Sequence, residues 1–147
     1  MKEVQNAIDQ LSKLIADIPE RFKQFSAQEI DRKPAPGKWS KKEILGHLCD
    51  SCFNNIQRII RVQYEDKPFI IYNQDEWVKN QEYQNRDFKE VLALWIALHQ
   101  QFIHALKNFP ESKMESMLDW GGEVTARFVI TDYIDHQMHH FKQIFPT

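Results

Sequence analysis

The sequence predicts an all-α domain, a four-helix bundle, and three observations predict it. Glycine is scarce, with 4 in 147 residues. Four windows carry apolar residues at alternating steps of three and four, the spacing that lays one stripe along a helix. No window shows the strict alternation of a half-buried strand, and no repeat period suggests a stacked array.

Val4, Ile8, Leu11, Ile15, Ile18 and Phe22 draw the first stripe along about six helical turns. A loop through Pro34-Ala35-Pro36-Gly37 follows. Ser40 and Glu43 then form a capping box, in which each side chain satisfies an orphan backbone donor near the other, so a second helix starts at about Ser40. It runs to about Tyr64, where Glu65-Asp66-Lys67-Pro68 ends it, since proline removes a donor and fixes the backbone. Between Phe69 and Gln84, Asn73 caps a short helix over one end of the domain, with Trp77 and Tyr83 packed inward. Asp87 and Glu90 resemble a second capping box, after which Val91, Leu94, Trp95, Leu98, Phe102, Ala105 and Leu106 continue at helical spacing up to Pro110. A connection containing Trp120-Gly121-Gly122 leads to a fourth helix. Thr125 caps it, Val124, Phe128, Val129, Tyr133, Met138, Phe141, Ile144 and Phe145 are its apolar residues, and Pro146 stops it.

The first two connections, about fifteen and about twenty residues, exceed the two to eight usual between antiparallel neighbours in a bundle. At least one therefore crosses over, and loops of that length at a bundle end are natural walls for a site. The length fits a single domain over residues 1–147.

A net charge of −2, from 19 Lys+Arg against 21 Asp+Glu, leaves no basic face to displace counterions, which argues against nucleic acid as a partner. The start Met1-Lys2-Glu3-Val4 lacks the apolar stretch of a signal peptide, and no run approaches the roughly 18 apolar residues of a membrane span. A cytoplasmic protein with no membrane partner is expected. Cys49 and Cys52 are too few for a disulfide framework. Their C-x-x-C lies about two turns inside a helix, where the dipole no longer lowers a thiol pKa, so both are read as buried small residues.

The chemistry lies in the histidines. His136 and His140 are one turn plus about 40° apart on the fourth helix, so both imidazoles can converge on one ion. His47 shares a stripe with Ile44, Leu48 and Ser51 on the second helix, on the face otherwise assigned to the core. Three neutral imidazoles suit zinc, nickel, copper or iron and leave a position open for water or substrate. An inward histidine is more often a hydrogen-bonded core residue, and an H-x-x-x-H pair arises by chance. His99 and His104 are about 140° apart around a helix and His139 is about 100° off the line of His140, so all three are read as surface or supporting groups.

Two stretches carry a resemblance. Pro36-Gly37-Lys38-Trp39-Ser40-Lys41-Lys42-Glu43-Ile44-Leu45-Gly46-His47-Leu48-Cys49-Asp50-Ser51 resembles the segment bearing the first metal histidine in the DinB/YfiT-like metalloenzyme superfamily. Gly122-Glu123-Val124-Thr125, followed by Asp132 to Ile144 with His136, His140 and the Gln143-Ile144 pair, resembles that superfamily's last helix. The resemblance implies an up-down-down-up bundle, a divalent metal at His47, His136 and His140, zinc or nickel foremost, and frequently a homodimer. It also implies a small-molecule substrate, because members act as hydrolases or transfer a low-molecular-weight thiol such as bacillithiol or mycothiol.

The function expected on this reading is activation of water or thiol by that ion. The alternative is a non-catalytic stress-response or binding module whose metal is structural or absent. Asp50, three residues past His47, is the candidate catalytic proton acceptor or anchor for that imidazole, since metal-bound histidines donate their far N–H to an oxygen. Asn54 and Tyr133 are candidate substrate contacts. Asp132, one turn before His136, is placed to orient it from behind. Packing suffices to explain Tyr133 and exposure Gln143; Trp39 and Trp120 anchor loops or line the mouth. An anionic cosubstrate would need Arg58, Arg61 or Arg127.

Overall fold

The computed structural model describes residues 1–146. Helix α1 spans Lys2–Phe22 and buries Val4, Ile8, Leu11, Ile18 and Phe22 of the expected stripe together with Ala7 and Leu14, while Ile15 is only partly buried. A short α2, Ala27–Asp31, follows, then α3, Lys41–Arg61. The Ser40–Glu43 capping box is formed in both directions, with Glu43 N–H donating to Ser40 Oγ and Ser40 N–H donating to the Glu43 carboxylate. Helix α4, Gln74–Gln81, is capped by Asn73, and α5 spans Phe88–Lys107. Strands β1, Met117–Asp119, and β2, Glu123–Thr125, pair as an antiparallel hairpin before α6, Ala126–Ile144, which Thr125 caps.

Four differences from the sequence expectation have local causes. Helix α2 has its own capping box, Ser26 with Glu29, but at five residues it is too short for a stripe. Helix α3 stops at Arg61 rather than near Tyr64. Asp87 caps α5 through Lys89 N–H, while Glu90 pairs with Arg86 instead of closing a box. The hairpin strands are three residues each, below the length at which alternation is readable. Its turn is held by Asp119, whose carboxylate accepts from the N–H of both Gly121 and Gly122, with Gly121 at φ 109°, a conformation that favours glycine.

Helix α1 packs against α5 and α6, and α3 packs against the same two. Thus α1 and α3 occupy opposite corners of a four-helix bundle, as do α5 and α6. The chain therefore crosses a diagonal between α1 and α3 and again between α5 and α6, while α3 and α5 are neighbours. The core between them holds Leu11, Ile18, Leu48, Ile59, Trp95, Phe102 and Leu106, all fully buried. Trp95 meets Phe141 edge-on at 5.5 Å between α5 and α6.

Helix α3 departs from ordinary core patterning. His47, Asp50, Ser51, Asn54, Asn55 and Arg58 recur at helical spacing and are all buried, so a polar stripe faces inward where leucine and isoleucine are usual. Gly46 begins it. The Tyr83 ring lies so close that a Cβ at residue 46 would overlap it, and that approach brings the Tyr83 hydroxyl to Asp50.

Candidate metal centre

Helices α3 and α6 bring His47, His136 and His140 together. One potential ligand nitrogen from each lies within 4.8 Å of the others. The Nε2 atoms of His47 and His136 are 3.3 Å apart. Two nitrogens bound tetrahedrally to one zinc at about 2.1 Å stand roughly 3.4 Å apart, so the closest pair already has the spacing of two ligands. The His47 ring centroid lies 5.2 Å from that of His136 and 4.7 Å from that of His140, edge to face in both cases.

The outer edges of two rings have protein partners. His140 Nδ1 faces Gln143 Oε1 at 2.9 Å, and His136 Nδ1 faces Ser51 Oγ at 3.4 Å. A ligating imidazole that donates Nδ1–H to an oxygen holds its Nε2 lone pair free for an ion. His47 is fully buried, with Trp39 over it at 5.0 Å between centroids, and its Nδ1 has no partner among the described residues.

Burial, reinforced by the neighbouring imidazoles, pushes His47 down to about 3 and His136 to about 4, and burial lowers His140 as well. All three rings are therefore neutral near pH 7, the form that binds a metal. Three neutral nitrogen donors with no carboxylate among them fit a borderline divalent ion such as zinc or nickel.

Two clefts adjoin the cluster. One, about 410 Å³, is lined by Trp39, Ile44, Gln74, Asp75, His140 and Gln143 among others. The second, about 160 Å³, lies beside His136 and is lined by Ser51, Asn55, Arg58, Tyr72, Trp120 and Asp132 together with Val129 and Tyr133.

The remaining expectations fare differently. Asp50 is fully buried and accepts from Tyr83 Oη at 2.7 Å and Gln81 Nε2 at 3.0 Å, so its partners are not imidazoles. Burial raises it to about 6 against those two hydrogen bonds. Asn54 donates to the backbone carbonyl of Asp50, and Asn55 rather than Asn54 lines the smaller cleft. Asp132 lines that cleft half-buried, while Ser51 is the residue that meets His136 Nδ1. Tyr133 lines it too, but its hydroxyl is 2.7 Å from His99 Nε2.

His99 is not a surface group. It is fully buried, and its Nδ1 donates to the Trp95 carbonyl at 2.8 Å, which leaves Nε2 to accept from Tyr133. Its position beside Trp95 and Phe102 on the α5 stripe was the available signal. The contacts of Ser51 and Gln143 are also missed by the sequence reading; the two stand four and three residues past the candidate ligands His47 and His140. Cys49 and Cys52 are buried free thiols that donate to the Val91 and Leu98 carbonyls, with burial raising both, Cys52 to about 12.

Comparison with known proteins agrees with this architecture. A protein of Halalkalibacterium halodurans, provisionally named a metal-dependent hydrolase, is 23% identical over 97% of this chain and 85% of its own length. One of Oceanobacillus iheyensis with the same provisional name is 26% identical over 88% of this chain and 79% of its own. The solved structure of YfiT from Bacillus subtilis, described as a probable metal-dependent hydrolase with an unusual four-helix bundle topology, superposes with a TM-score of 0.85. That match covers 95% of this chain and 82% of the other at 20% identity, and it establishes the shared bundle. The family model of the DinB superfamily matches residues 10–144, and with nearly the whole chain inside that match the protein belongs to the DinB superfamily.

Proposed function

We propose that this protein is a metal-dependent enzyme, of hydrolase type, whose divalent ion, zinc or nickel, is held by His47, His136 and His140. The observation that carries the reading is the convergence of three neutral imidazoles from two helices beside open clefts, with no fourth ligand in the group among the described residues. When bound, such an ion keeps its full charge and lowers the pKa of a water or low-molecular-weight thiol beside it.

The chain's own residues do the rest. Gln143 and Ser51 hold the His140 and His136 rings by their outer edges and so fix which nitrogen faces the centre. Trp39 covers His47 and keeps water from its buried face. Asp132, in the cleft beside His136, is the carboxylate best placed to accept a proton from an incoming nucleophile. Asp50 acts at a distance, tying α3 to the α4 segment through Gln81 and Tyr83. Asn54 supports the same stretch of α3 from within, and the Tyr133 ring forms cleft wall rather than a polar contact.

The relatives' provisional names favour hydrolysis; thiol transfer needs the same three imidazoles and is the second reading. A homodimer belongs with either, and Phe53 and Ile60, exposed on α3 seven residues apart, offer apolar surface for it. No helix among the described residues is long and apolar enough to cross a membrane.

Protein purified without an affinity tag should contain about one divalent ion per chain, lost in His140→Ala. Turnover is then measured on ester and amide panels against thiol-plus-electrophile panels. Hydrolysis abolished by chelation supports the proposal; thiol transfer abolished by chelation replaces it with the second reading. Ligand binding that survives chelation, without turnover in either panel, makes the protein a binding module instead.

A further inference from the structure

We propose that Arg58 docks a carboxylate group of the substrate, in the cleft it shares with His136. The inference rests on the reading of His136 as a ligand of a reactive ion, and it adds the chemical class of the substrate.

Arg58 is 7% exposed, yet among the described residues no carboxylate forms an ion pair with it. A buried cation without a counter-charge is costly and is a mark of a site built for an anion. The other two arginines that could have served are committed elsewhere. Arg61 is paired with Glu65 at 2.7 Å, and Arg127 with Glu3 at 2.8 Å and Glu115 at 2.7 Å.

The donors of Arg58 are only partly used. Its Nε and Nη2 donate to the Ile70 carbonyl at 3.3 and 3.0 Å, and Nη1 donates to Asn55 Oδ1 at 3.3 Å. A guanidinium has five N–H groups, so one remains on each terminal nitrogen. Two N–H groups on a planar fork match the two oxygens of a carboxylate.

The surroundings suit a flat, singly charged group. Trp120 and Tyr72 flank the guanidinium carbon at 5.3 and 5.8 Å from their ring centroids, and the cleft holds about 160 Å³. Ser51 and Asn55 add neutral polar groups, while Asp132 adds a carboxylate that disfavours a doubly charged docked group such as phosphate. A carboxylate seated on Arg58 places the rest of a small substrate toward His136, which lines the same space.

The test reads binding on the full chain, metal-free, with succinate as probe and the fluorescence of Trp120 and its neighbours as signal. Saturable binding of succinate with none of the neutral analogue succinamide is expected. Arg58→Gln should weaken it about tenfold or more, as loss of charge-assisted hydrogen bonds does, with Arg58→Lys intermediate. Asp132→Asn should tighten it about threefold by removing a nearby like charge. Because Asp132 is half-buried rather than in the core, this variant serves if Arg58→Gln, which loses the tie to Ile70, does not fold. Equal affinity for succinate and succinamide, or tighter binding of inorganic phosphate, overturns the assignment, as does weaker succinate binding in Asp132→Asn.

Because these measurements need no metal, they separate the two ideas. Succinate binding through Arg58 in a protein without turnover leaves the dock standing and removes the enzyme. Turnover of 4-nitrophenyl butyrate and mono(4-nitrophenyl) succinate at equal KM, unchanged in Arg58→Lys, removes the dock and leaves the enzyme.

Discussion

The Nε2 atoms of His47 and His136 stand 3.3 Å apart across the α3–α6 contact, although 89 residues separate them in the chain. Two aromatic nitrogens with their lone pairs turned toward each other repel unless a proton or a cation lies between them. Zinc at a hundredfold excess over its Kd should therefore raise stability by about 2.7 kcal/mol. Each of His47→Ala, His136→Ala and His140→Ala should abolish that gain, read as the shift of the melting temperature on adding zinc. A shift that persists in any of the three would remove that histidine from the centre.

Gln143 takes the outer edge of His140. Gln143→Leu keeps the volume and removes the acceptor, so zinc affinity should fall about tenfold, the usual cost of losing the group behind a ligating imidazole. Competition with a chromophoric chelator measures it. Unchanged affinity would show that Gln143 does not orient the ring.

Gly46 admits the Tyr83 ring against α3, and that ring delivers a hydroxyl to Asp50 at 2.7 Å. Gly46→Ala gains helix propensity but collides with an aromatic ring that cannot retreat. The collision wins, and stability should drop by about 1–3 kcal/mol, the range for overpacking a core. A lower urea midpoint at unchanged slope is the expected signature.

His99 is held neutral by burial, its pKa lowered from 6.5 to about 4, with its hydrogen bond to the Trp95 carbonyl opposing. Above pH 6.5 it is neutral folded and unfolded, and contributes no pH dependence. Between pH 6.5 and about 4 the unfolded chain binds a proton that the folded chain refuses, so stability falls with falling pH, by about 3 kcal/mol in all. His99→Gln keeps a hydrogen-bonding partner for Tyr133 and lacks this titration. The stability advantage of the wild type over the variant should shrink as pH is lowered from 7 to 4. A gap constant with pH would mean that His99 titrates normally.

Cys49 and Cys52 are buried, and burial raises both thiols. Neither should react with a thiol reagent in the native protein at pH 8, and both should react in denaturant. Fast labelling of the folded chain would reopen a redox role for this C-x-x-C.

How much of this was legible in the chain depends on distance along it. The helix stripes, the Ser40–Glu43 and Thr125 caps and the spacing of His136 and His140 are set within one or two turns, and local rules read them correctly apart from Phe128 and Met138, which α6 exposes. The burial of His99 is not legible locally, because a histidine on a stripe reads as a surface or a supporting group until its partners are known. Those partners, Trp95 and Tyr133, come from its own helix and from α6. Asp50 and Asp132 were linked to imidazoles by sequence proximity. Rotation around α3 and α6 gives Asp50 to Tyr83 and Gln81, and gives His136 to Ser51 across the interface.

Sequence by itself determined the four amphipathic rods, the starts capped by Ser40 and Thr125 and three histidines on inward faces, since each follows from helical periodicity and backbone hydrogen bonding nearby. Only the tertiary structure decided that the rods pack with α1 opposite α3 and α5 opposite α6, which is what places His47 against His136 and His140. It also decided that Arg58 is buried without a carboxylate partner among the described residues, whereas Arg61, three residues on, is spent on Glu65. The physical reason is that burial and pairing depend on which surfaces meet, and side chains far apart along the chain must fill one volume together before any one of them has a partner.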